Sequence, residues 1–206
     1  MSTVAGNGER GYEGDGGPAL TATWGSPKAL RCDAQDNVVV VDTENHAIRL
    51  IHADTGIVTT IAGGRLGGEG DGGPATAALL NEPYEVRFDD NANMYFVEMR
   101  NHLVRRVDAR THRISTVAGT GQPGFSGDGG SANKARLKVP HSIALDDRGN
   151  LYICDIGNHR VRRVDLDSGL ITTFGGTGER KPTPDGAPLA GTPLNGPRAL
   201  DYDGHG

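Results

Sequence analysis

A β-propeller of four-stranded antiparallel blades is the all-β fold class predicted by three features of this 206-residue chain. A proline recurs at Pro27, Pro83, Pro140 and Pro197, with spacings of 56, 57 and 57 residues. A strand end reading Thr-Val-Ala-Gly or its equivalent closes at Gly6, Gly63, Gly119 and Gly176, and Gly-Asp-Gly-Gly loops carry Asp15, Asp71 and Asp128. Periods of this length belong to propellers and solenoids. Between successive prolines lie four short segments rich in Val, Ile and Thr and separated by turn residues, which is the content of one blade.

In chain order, residues 1–6 read as the outer strand of a preceding blade. Residues 27–63, 83–119 and 140–176 read as complete blades, and 197–206 as the first strand of an incomplete one. Residues 1–206 thus form a single propeller segment with three complete blades and partial blades at both ends. The first strand of each blade alternates apolar and polar residues, as in Ile143-Ala144-Leu145-Asp146. A turn rich in Asp, Asn and Gly follows, then an apolar run (Val38 to Val41, Met94 to Val97, Leu151 to Cys154) that suits a strand covered on both faces. The third strand alternates, with Ile48 and Leu50 set against Arg49, and likewise Val104 with Arg105 and Val161 with Arg162. Between blades, Pro18 to Trp24, Pro74 to Leu80 and Ser131 to Leu137 predict a short helical turn, with proline at its first position in two of the three. Ala19, Ala75 and Ala132 would approach closely there, with Trp24, Leu80 and Leu137 as plugs at one shared position.

Composition narrows the function classes. The 32 glycines exceed ordinary usage of about 7% and fall mostly in the loops between strands. The formal charge of −5, without a basic run, offers no footprint for a phosphate backbone, so nucleic acid is not expected as a partner. Cys32 and Cys154 read as buried free thiols and do not decide the compartment. No stretch is long and apolar enough for a membrane helix, and Met1-Ser2-Thr3 lacks the basic and apolar regions of a secretory signal. Localisation stays open.

The run Gly149-Asn150-Leu151-Tyr152-Ile153, followed by Asp155, Asn158-His159 and Val161-Arg162, is repeated from Asn37 to Arg49 and from Asn93 to Arg105. It resembles the NHL repeat, and the glycine-rich cassette resembles that of bacterial members. The resemblance covers nearly the whole chain. It implies a propeller, usually six-bladed, of which this chain would be an open arc or a fragment. For many members it implies a protein- or ligand-binding scaffold.

Two polar sets repeat in every blade and therefore read as serving the fold. Asp42, Asn45 and His46 return as Glu98, Asn101 and His102 and as Asp155, Asn158 and His159, a triple whose acid and amide can bond local backbone while the histidine caps the turn. The Gly-Asp-Gly-Gly loops bring one carboxylate each, too few for a calcium site. The informative positions are those where the repeats disagree. Just after each anchor proline, at the start of the innermost strand, stand Lys28, Tyr84 with Glu85, His141 with Ser142, and Arg198. These are the candidate ligand-binding residues, pointed toward the central channel of a propeller. His141 can serve as base or metal ligand, Glu85 as base, and Lys28 with Arg198 can hold a carboxylate or oxyanion.

No Gly-x-Ser-x-Gly, His-Glu-x-x-His or Cys-x-x-Cys motif occurs, so nothing points to a nucleophile hydrolase or a thiolate metal site. The main expectation is a binding scaffold for a protein or small-molecule ligand, with no cofactor or metal site assigned. The alternative, drawn from likeness at the level of fold, is a lactonase-like hydrolase or lyase with His141 and Glu85 beside a divalent metal in the channel. Self-association through the free strands at 1–6 and 197–203 would complete such a ring.

Overall fold

The structure, a computed structural model, describes residues 2–204. Twelve strands make three four-stranded sheets, each a meander in sequence order. The first holds β1 (Ala29–Cys32), β2 (Val38–Asp42), β3 (Ala47–Ile51) and β4 (Val58–Gly63). The second holds β5 (Pro83–Phe88), β6 (Met94–Glu98), β7 (Leu103–Val107) and β8 (Ile114–Ala118), and the third β9 (Pro140–Leu145), β10 (Asn150–Asp155), β11 (Arg160–Asp165) and β12 (Ile171–Gly175). Two compact units arise, one up to Tyr95 with Val107–Ser115, the other Phe96–Arg106 with Thr116 onward. No helix among the described residues is long and apolar enough to cross a membrane.

Each sheet follows from its sequence. The β1–β2 turn is made by Asp33, whose Oδ1 accepts from the amides of Gln35 and Asn37 while Oδ2 accepts from Asn37 Nδ2. Asp89 with Asn93 and Asp146 with Asn150 repeat this arrangement. Side-chain acceptors of this kind favour a turn over continued strand. β2 and β6 are buried nearly throughout, as continuous apolar runs require. At the end of the fourth strand Gly63, Gly119 and Gly176 all have positive φ, and a Cβ at any of them would lie 2.3 Å from the carbonyl oxygen of His46, His102 or His159. Glycine recurs there because both the backbone conformation and the close approach exclude a side chain.

The connections form 3-10 turns at Ala19–Thr21, Ala75–Ala77 and Ala132–Lys134, each opening on a buried alanine. Pro18 and Pro74 precede the turn in extended conformation and do not occupy its first position. Leu80 and Leu137 are fully buried, whereas Trp24 at the same repeat position is half-buried and lies under the Arg49 guanidinium, 4.5 Å from the ring centroid.

Two expectations are corrected here. Cys32 is exposed and only Cys154 is buried, because β1 is the edge strand of its sheet and Cys32 is on its open face. Residues 2–6 and 197–204 form no strand, although Gly6 donates to the carbonyl of Ala19 and Ala5 lies against the cluster of Ala19, Ala22, Val40, Ile51 and Val58. A strand needs a neighbour's amides and carbonyls, and neither segment has one among the described residues; residues 1, 205 and 206 lie outside them. The alternation on the third strands holds, and the side carrying the arginines is covered. Arg49, Arg105 and Arg162 are fully buried. The β2–β3 and β10–β11 ladders run without a shift, so Arg49 and Arg162 keep the face opposite their apolar neighbours, where the cassettes lie over them.

Candidate functional site

The polar residues that recur in every blade are consumed by the fold. Asp42 Oδ1 accepts from the amide of Gly25 at 2.6 Å, while Oδ2 accepts from Asn45 Nδ2 at 2.8 Å and faces Arg49 Nη1 at 3.5 Å. Asp155 does the same with the amide of Lys138 at 2.7 Å, Asn158 Nδ2 at 2.7 Å and Arg162 Nη1 at 3.6 Å. Glu98, one methylene longer, reaches Arg105 Nη1 directly at 2.7 Å and Asn101 Nδ2 at 2.6 Å. Burial pushes the Asp155 carboxyl up to about 6, against the opposing pull of its bonds to Asn158, the Lys138 amide and Arg162.

The buried arginines extend from these acids to the cassettes. Arg49 donates to Asp15 Oδ1 at 2.9 Å and to the carbonyls of Thr23 and Glu13 at 2.8 and 3.0 Å. Arg162 donates to Asp128 Oδ1 at 2.8 Å and to the carbonyl of Ser126 at 3.1 Å. The remaining oxygen of each loop carboxylate accepts from the fourth strand, Asp15 from the Thr60 amide at 2.9 Å and Asp128 from Thr173 Oγ1 at 2.7 Å. The Gly-Asp-Gly-Gly carboxylate is therefore an arginine anchor. Sequence reasoning missed this role of the arginines, although a signal was present: an invariant arginine follows the loop aspartate at a constant interval in every repeat.

Two of the recurring histidines, His46 and His102, are likewise bonded within the fold. His46, His102 and His159 have left-handed backbone conformations, with φ of 54°, 56° and 52°. His46 Nδ1 accepts the amide of Glu82 at 3.3 Å and His102 Nδ1 that of Val139 at 3.1 Å, in each case the residue before the next anchor proline. Burial holds the His102 imidazole below its ordinary range, which keeps Nδ1 an acceptor.

The residues that differ between repeats fall into two sets. In the first unit, Lys28 is exposed beside a cleft of about 480 Å³ that also touches Trp24, Val38 and Ile51. Tyr84 and Glu85 are half-buried on β5. Glu85 Oε1 accepts from Arg87 Nη1 and faces Arg31 Nη2 at 3.9 Å, so the proposed base is a carboxylate already clamped by two guanidiniums. Neither arginine was anticipated, although Arg87 stands two residues beyond Glu85 on the same face of a strand.

In the second unit, His141 Nδ1 lies 2.8 Å from the carbonyl oxygen of Arg198, joining two of the candidate residues. A carbonyl only accepts, so Nδ1 carries the proton. Ser142 is buried, and its Oγ has no hydrogen-bond partner among the described residues. The Arg198 side chain is exposed. Among the described residues no three His, Cys, Asp or Glu side chains converge as metal ligands.

Comparison with known proteins agrees with this geometry. The family model of the Teneurin NHL domain matches residues 121–190. A chloroplastic protein of Arabidopsis thaliana, Protein SUPPRESSOR OF QUENCHING 1, is 30% identical over 187 residues, covering 84% of this chain and 18% of that protein. NHL repeat-containing protein 2 of Bos taurus is 29% identical over 167 residues, covering 77% of this chain and 23% of its own length.

The chain belongs to the NHL-repeat family.

It spans less than a quarter of the length of these relatives. Among solved structures, an auxiliary nutrient binding protein from Bacteroides ovatus superposes on this NHL-repeat chain with a TM-score of 0.65 at 18% identity, covering 88% of this chain and 44% of that one. Virginiamycin B lyase from Staphylococcus aureus superposes with a TM-score of 0.51 at 17% identity, covering 73% and 41%. At these identities the likeness is one of fold.

Proposed function

We propose that this NHL-repeat chain is a binding scaffold whose inner-strand positions recognise a protein or a small-molecule ligand. One observation carries the reading. The acids, amides and arginines common to all blades are engaged in the fold, whereas Lys28, Tyr84 with Glu85, His141 with Ser142, and Arg198 change chemistry from blade to blade. A fold requirement would repeat with the repeat, while a ligand needs different groups from different blades. The nutrient-binding propeller among the structural neighbours supports the same use of the fold.

The enzyme alternative draws its support from one geometric feature, the bond from His141 Nδ1 to the Arg198 carbonyl, which brings two of the candidate residues together. A thermal-shift panel of oligosaccharides, amino acids and short peptides, run on the wild type and on His141→Ala and Glu85→Gln, tests the proposal. A ligand whose stabilisation disappears in either variant supports binding. If no ligand stabilises the wild type and a lactone is turned over in a His141-dependent way, the binding reading fails in favour of the enzyme.

A further inference from the structure

A second cleft, of about 450 Å³, lies within the first unit and is lined by none of the six candidate residues. Its floor is apolar, formed by Val39, Leu50 and Ile61 of the first blade and by Phe88, Met94 and Val107. The volume is in the range that holds small ligands, about 300–1,000 Å³.

The repeats themselves show what is special here. The position of Leu50 is occupied by Arg106 in the second blade and Arg163 in the third, and Arg163 lines the corresponding cleft of the third blade. Leucine in the first blade removes that cation and extends the apolar floor. The charged lining that is left is acidic, Asp33, Asp89, Asp90 and Asp108, with His112 beside them and no lysine or arginine. Asp33, Asp89 and Asp108 use their oxygens to hold their own turns. Asp90 is exposed, and its carboxylate has no partner among the described residues.

We propose that this cleft binds a short peptide segment in which a lysine or arginine adjoins aliphatic residues. The basic side chain suits both halves of the site, since its methylene stem can lie along Leu50 and Phe88 while its charged head reaches Asp90. The acidic rim attracts such a segment and disfavours an acidic one.

Isothermal titration calorimetry supplies the readout. The probes are acetyl-Leu-Lys-Leu-amide, acetyl-Leu-Glu-Leu-amide and hexylamine at millimolar concentration. The expected result is that the lysine peptide binds and that the other two do not. Asp90→Asn weakens the affinity about threefold, the scale of one exposed charge pair. Leu50→Arg, which installs the residue both other blades carry, abolishes binding while the melting temperature is kept. His141→Ala leaves binding intact, so failure here is separable from failure of the inner-strand site. Equal binding of the glutamate peptide, equal binding of hexylamine, or no binding of any probe overturns the proposal.

Discussion

Leu189 fills the space that Gly175 leaves: a Cβ on Gly175 would lie 2.4 Å from Leu189 Cγ. In the first two blades the position of Gly175 is alanine, Ala62 and Ala118, and the following cassette has a buried alanine, Ala75 or Ala132, where Leu189 stands. The two sites have exchanged volume between them. The amide of Gly176 donates to the carbonyl of Leu189 as that of Gly119 does to Ala132, so residues 176–197 form a fourth cassette.

This pairing makes a double-mutant cycle informative. Gly175→Ala alone overpacks the site and should cost about 1–3 kcal/mol. Combined with Leu189→Ala, which restores the pairing of the other blades, most of that cost should be recovered. Urea unfolding of the four proteins measures the coupling, and additive effects would show that the two residues do not share the space.

Arg162 should be among the residues least tolerant of change. Arg162→Ala leaves Asp155 buried without its guanidinium and should destabilise by about 3–5 kcal/mol. Asp128→Asn, which alters a partner 41% exposed at its side chain, should cost much less. Chemical denaturation of the two variants checks the order, and a larger loss for Asp128→Asn would refute it.

Stability should depend on the protonation of Asp155. Its folded value is raised from 3.8 to about 6, so the native state holds this proton more tightly than the unfolded chain. The contribution is fully present below about pH 4 and is lost as pH rises through about 6, by about 3 kcal/mol at roughly 1.4 kcal/mol per unit. Unfolding free energies of the wild type and Asp155→Asn should differ in slope between about pH 4 and pH 6 and run parallel on either side of that window. Parallel curves throughout would contradict the assignment.

Gly119→Ala should destabilise by at least about 2 kcal/mol, because alanine would adopt φ near 97° with its Cβ against the His102 carbonyl. Gly129, also at positive φ but with open space around a built Cβ, should suffer less from the same change. Thermal melts of the two variants compare strain alone with strain plus clash.

We further propose self-association through the face of the first sheet that carries Leu30, which is 59% exposed, beside Val38 and Ile51. Sedimentation velocity should then show a mass that rises with concentration and falls in Leu30→Lys. A concentration-independent monomer in both proteins would dispose of it.

The sequence by itself determined the repeat, the strand order within each blade and the turns, since these depend on local chemistry: Asp33 and Asn37 make their turn from groups four residues apart, and Gly63 is dictated by its backbone angle. Internal repetition also separated residues of the fold, such as Asp42 and His46, from those that vary, such as His141 and Arg198. Only the tertiary structure decided where the arginines go. Period-two alternation places Arg49 and Arg162 opposite their apolar neighbours, and cassette carboxylates 34 residues away in sequence cover that face and bury them. The same holds for Glu85, read as a base and found clamped by Arg31 and Arg87, and for the cleft at Leu50, whose lining comes from two successive blades. Local propensity reaches a few residues along the chain. Burial of a charge, the partner of a carboxylate and the outline of a cavity are settled by groups that meet only once the sheets have formed.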